Sequence, residues 1–192
     1  MDILMQSCPY EMYWFDKTYG CGMTYSMANS IANGESVLKL YNFTFNFYVA
    51  EEYQGSSNLS VDPAYGQSVS SAVENARQII ENNAGLSDYE KLLAYNNEIC
   101  LLTDYNHEAV EDAYRAYGNP WQLIWVFDGD DSTKVVCEGY AKAFKYLCDN
   151  STFQNSAVYA LLVDGKLEGY GHMWNVVHMD DGLNYCVDVT NS

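Results

Sequence analysis

Between residues 42 and 49 the chain alternates strictly, with Phe43, Phe45, Phe47 and Val49 on one side and Asn42, Thr44, Asn46 and Tyr48 on the other. A period of two predicts a half-buried strand. Residues 1–35 read as irregular and rich in Tyr, Met and Trp, with YEMYWF at 10–15 expected in the core or at a packed edge. The Ser/Asn/Gly run at 54–62 predicts a loop and the internal boundary. The period then becomes helical. Val69, Ala72, Val73, Ala76, Ile79 and Ile80 share a face, and Gly85 stands in a C-cap position. Ser87 and Glu90 form a capping box that opens a second helix through Leu92, Leu93, Ile99 and Cys100. A shorter helix is expected over 108–117, stopped by Gly118 and Pro120. A further helix opens at Cys137, with Tyr140, Ala141, Phe144, Leu147 and Cys148 on one face, so Cys148 reads as core. Three strand-like runs follow at 157–163, 171–179 and 183–190. Helices followed by an antiparallel sheet predict an α+β fold.

The 192 residues suit one ordinary domain, or one domain with a short extension. A formal charge of −17 argues against nucleic-acid and anionic membrane-surface roles. No apolar run reaches the ~18 residues of a membrane span, so no membrane insertion is expected. The N-terminus has no basic signal-peptide region, so the protein is expected to stay inside the cell, or the chain to be a mature form or fragment. Acidity and low lysine content alone favour an extracellular or cell-surface setting. The six cysteines include no CxxC and no close Cys/His pairing, and neither metal nor cofactor is expected. Cys8 and Cys21 are a candidate disulfide around an aromatic-rich loop. Residues 128–132, DGDDS, resemble half a calcium loop but lack the closing Glu, and read as a solvated loop.

Chemistry enters with Cys137. The free N–H groups and dipole of a helix's first turn favour an anion, which lowers a thiol's pKa from about 8.5. A nucleophilic thiol needs a base, and the base an orienting partner. The stretch GHMWNVVHMDDGLNYCVDVT reads as a hairpin turning at Asp180, Asp181 and Gly182. In that register Met179 faces Leu183 and Trp174 faces Asp188. His172 then lies diagonal to Asp188 on the same side, about 7–8 Å away at Cα. A slip of one residue would put them on opposite faces. Each residue alone is commoner as packing or surface. Their coincidence in compatible places points to a nucleophile, a base and an orienter.

CEGYAKAFKYLC, then GHMWNVV, then YCVDVT together resemble the transglutaminase-like core family, in particular its bacterial members. The resemblance is close from about 120 to 190, weaker over 62–119 and slight in the first 60 residues. It implies a papain-like fold with the cysteine helix packed on an antiparallel sheet, and Cys137 as nucleophile, His172 as base and Asp188 as orienter. It also implies an oxyanion donor upstream of the cysteine, for which Gln122, Trp121 and Trp125 are the candidates and Gln122 is preferred. Residues 1–60 are then an N-terminal extension and 61–192 the catalytic domain. Family members commonly continue with Trp and acidic residues where Asn191 and Ser192 stand. The sheet is therefore expected to lack a closing segment, or the chain to belong to a longer product. The implied activity is acyl transfer at an amide of a peptide or protein substrate through a thioester. Hydrolysis is favoured over amine transfer because water is always present. The competing expectation is a non-catalytic cell-surface binding or scaffold module that keeps the fold, to which the 18 tyrosines and the acidic surface are suited.

Overall fold

The computed structural model describes residues 5, 8–111, 119 and 121–192. They form two compact units. One is Trp14–Gly66; the other combines the described part of Met1–Tyr13 with Gln67–Ser192.

The smaller unit is built on a long hairpin of β1, Cys21–Ala32, and β2, Glu35–Phe47. Asn33 and Gly34, with φ of 55° and 84°, make the two-residue turn, and Ala32 faces Glu35 across it. Both turn residues take the left-handed conformation that Asn and Gly tolerate best. Much of 1–35 is therefore not irregular but strand. The register shifts once, between Thr24 and Ser26, where β2 carries one extra residue near Asn42, itself at φ 52°. That bulge restores the parity of the pattern. Leu38 and Leu40 before it fall on the same face as Phe43, Phe45 and Phe47 after it, opposite Met23, Tyr25, Met27 and Ile31 of β1. The Tyr25 and Phe43 rings lie 6.2 Å apart on this face.

The alternation at 42–49 thus forms a strand as expected, but its apolar side is not half-buried: Phe43, Phe45 and Phe47 are 51%, 57% and 41% exposed. A two-stranded ribbon has no second layer of its own to bury them. Only Phe15 and Val49, paired by an isolated bridge, are buried in this unit among the described residues. The 54–62 segment is a loop, tied at its ends by a Gln54–Val61 bridge.

The larger unit is mixed α+β. Its helices are α1, Pro9–Met12; α2, Pro63–Asn82, whose core residues Val69, Ala72, Ala76 and Ile79 belong to this unit; α3, Asp88–Leu102; α4, His107–Glu111; α5, Trp121–Phe127; and α6, Cys137–Asp149. The remainder of the helix expected over 108–117, with Gly118 and Pro120, lies outside the described residues. Gly85 does not adopt the left-handed cap conformation. Instead the Asn83 amide donates to the Ile79 carbonyl at 2.9 Å and closes α2. The capping box of α3 is complete: Ser87 accepts from the Glu90 N–H, and the Glu90 carboxylate accepts from the Ser87 N–H at 3.0 Å.

Two short strands, β3 at Asp104–Tyr105 and β4 at Lys134–Val135, pair in parallel and lead into α6. The main sheet is antiparallel, in the order β5 (Tyr159–Leu167), β6 (Tyr170–His178), β7 (Asn184–Val187). The β6–β7 register is the expected one where the strands pair, with Met179 N–H donating to Leu183 O at 3.0 Å and Asn175 opposite Val187. Pairing ends there, so the strand expected to run to 190 stops at Val187 and Asp188 leads into a 3₁₀ turn. α6 packs on β5 and β6. Ala141, Phe144, Leu147 and Cys148 are buried, as are Ala160 and Val177 of the sheet. Burial of Phe144, Leu147 and Val177 contributes about 1.5–3 kcal/mol each. The buried Lys91 ammonium of α3 donates to Thr152 O at 2.7 Å, tying α3 to the segment after α6.

Candidate active site

Cys137 is the first residue of α6 and is 8% exposed. The preceding Val136 is extended, and its N–H donates to Gln122 Oε1 at 2.9 Å. Gln122, buried on α5, is thereby held against the residue before the thiol. Because its Oε1 is the acceptor, its Nε2 remains the donor end. The helix is pressed closely onto this support. A Cβ on Gly139 would come within 2.5 Å of Val135 Cβ and 2.9 Å of Gln122 O, so the third helical position tolerates only glycine. One turn further in, the Tyr140 hydroxyl donates to Thr103 O at 3.1 Å, and burial pushes its pKa up to about 12.

The other half of the site lies on the sheet. His172 Nε2 donates to Asp188 Oδ2 at 2.9 Å, with side chains 10% and 25% exposed. Asp188 Oδ2 also accepts from Asn191 Nδ2 at 2.8 Å, so both hydrogen bonds to the carboxylate fall on one oxygen. A carboxylate accepts, so the hydrogen of this bond is carried by Nε2 and Nδ1 is the ring nitrogen not engaged by Asp188. The Trp174 ring stacks beside His172 at 5.8 Å and 20°, bracing the imidazole plane. The segment after Asp188 is fixed too. Val189 is 2% exposed and lies in a 3₁₀ turn that packs on α6 and α3.

What joins the halves is Asn175, fully buried, whose Nδ2 donates to Ala141 O of α6 at 3.0 Å. It locks the strand of His172 to the helix of Cys137, one turn in from the thiol. Sequence reasoning missed this residue; its place after Gly-His-Met-Trp, at a position alternating with buried Val177, was the available signal. Also missed was the ion pair of Glu138 and Lys142, four residues apart on α6 and almost wholly buried. Nothing in their i,i+4 spacing distinguishes a buried pair from a solvated one.

All six cysteines, Cys8 and Cys21 among them, are free thiols in the structure. Burial pushes the Cys148 thiol far above its ordinary value and raises that of Cys100. Trp121 meets Tyr13 edge-on at 5.6 Å and Trp125 at 6.3 Å, placing both indoles in an aromatic cluster on α5. His178 stacks on Tyr159 at 5.1 Å and hydrogen-bonds Asn184 at 2.9 Å, apart from the His172–Asp188 pair.

No protein-family model matches the chain, and no curated protein is similar to it in sequence. A solved structure described as a TGase aligns with 90% of this chain at 19% identity and a TM-score of 0.49. The chain spans 45% of that protein's length. The reading of the site therefore rests on its own geometry.

Proposed function

We propose that the larger unit is a papain-related, transglutaminase-like enzyme that transfers acyl groups from amides through a thioester on Cys137. The observation that carries this reading is the His172–Asp188 hydrogen bond at 2.9 Å, on a strand locked to the helix that Cys137 opens. In this scheme the thiol proton passes to His172 Nδ1, and the Cys137 sulfur attacks the amide carbonyl carbon. The oxyanion that forms is met by the Cys137 N–H and by Gln122 Nε2. His172 returns the proton to the departing amine nitrogen as the C–N bond breaks. Water then attacks the thioester with His172 accepting its proton, which releases the acid and restores the thiol. Asp188 holds the tautomer and stabilises the imidazolium without taking the proton. An amine in place of water would give the transferase outcome.

The test uses activated acyl esters and peptide pools, with intact-mass detection of the acylated chain. Acid quenching should trap one acyl adduct on Cys137, absent in Cys137→Ser and strongly reduced in Asp188→Asn. Gln122→Ala should slow acylation by about 100-fold. Acylation spread over the exposed Cys21 and Cys186, with Cys137 unmodified, would remove the reading and leave the binding module in its place.

A further inference from the structure

The hairpin of the smaller unit presents a surface that the acyl-transfer reading does not use. Its one face carries four apolar side chains from β1 and five from β2, aligned by the bulge at Asn42. Their exposure runs from 41% at Phe47 to 81% at Ile31. The opposite face carries Thr24, Ser26, Thr44 and Asn46 beside Val37 and Tyr41, with Glu35 and Lys39 across from Ala32 and Ala28. Those two are the only charges between Thr18 and Ala50, in a chain of net charge −17. The apolar face therefore has no charge at all.

We infer that this face is the contact between two copies of the chain, packed sheet on sheet. Three observations select a second copy. A two-stranded sheet is marginal in water without another layer against it, and this unit buries only Phe15 and Val49 among the described residues. Nine half-exposed side chains at about 100 Å² each offer about 900 Å², against about 800 Å² per partner in a standard stable interface. A charge-free face meets its own copy without like-charge repulsion, so a two-fold axis gives each copy the layer it lacks. An anionic membrane, the other apolar surface available, would be opposed by the chain's charge.

Sedimentation velocity of the whole chain from about 1 to 100 μM tests this. The expected species has twice the 21.7 kDa chain mass. Leu38→Asp with Phe45→Asp places two charges on the apolar face and should return it to a monomer that keeps the helical far-UV circular dichroism of the larger unit. Val37→Asp with Thr44→Asp places the same two charges on the opposite face and should leave the dimer in place. Hydrogen exchange on the unsubstituted chain gives a reading free of variants: amides of Cys21–Phe47 should become protected as concentration rises. A monomer throughout, a dimer insensitive to the Leu38/Phe45 pair, or exchange in the hairpin independent of concentration would each overturn the inference.

Discussion

One turn into α6, Tyr140 spends its hydroxyl on Thr103 O, a buried acceptor at the end of α3. Burial raises its pKa from 10.0 to about 12. Between those values the unfolded chain has released a proton that the folded one keeps, so stability present below pH ~10 is lost as pH climbs toward 12. Thermal melts from pH 9 to 11.5 should show a falling Tm, with a shallower fall in Tyr140→Phe. That variant should be about 1 kcal/mol less stable near neutrality, where it lacks the hydrogen bond. Parallel slopes in the two proteins would mean that Tyr140 keeps no unusual proton affinity. Neither the bond to Thr103 nor the contact between Gln122 and Val136 N–H was legible in the sequence, because each joins residues brought together only by tertiary packing. Gly139 is an intermediate case: a glycine inside a helix invites a packing explanation, but the sequence does not say which backbone comes close.

At the scale of elements, the signals that were read correctly are local ones. Ser87 and Glu90 lie three residues apart and satisfy each other's end of the helix, so no other part of the fold is needed to recognise them. Ser87→Ala should lower stability by about 1 kcal/mol, measured by urea unfolding at constant m; an unchanged midpoint would mean that the cap contributes nothing measurable to α3. The β6–β7 register was legible for the same reason, since Gly182 fixes the turn and the turn fixes which face His172 and Asp188 share. The β1–β2 hairpin carried an equally local signal in Asn33-Gly34 and in the alternation of Met23, Tyr25 and Met27, but it was overlooked in a region rich in large side chains of every kind. Burial of its apolar face did not follow from alternation. Period two shows that a strand has two unlike sides, while what covers the apolar one depends on a second layer that the strand does not encode.

Across the whole molecule, the chain joins a small β unit with almost no core of its own to a larger α+β unit with a well-packed one. The chemistry proposed for the larger unit depends on two separately built halves, the helix start at Cys137 and the His172–Asp188 pair, held in register by Asn175. Its central claim is that the imidazole makes Cys137 a thiolate near neutral pH. The most direct measurement is the pH dependence of iodoacetamide alkylation at each cysteine, read by peptide mass spectrometry, in the parent chain and in His172→Ala. Cys137 should react rapidly below pH 7 in the parent and need higher pH in the variant. Cys148, whose thiol burial keeps protonated, should stay unmodified in both. If Cys137 instead titrates near ~8.5 like an ordinary thiol, unchanged by loss of His172, the two halves do not act together and the acyl-transfer account is wrong.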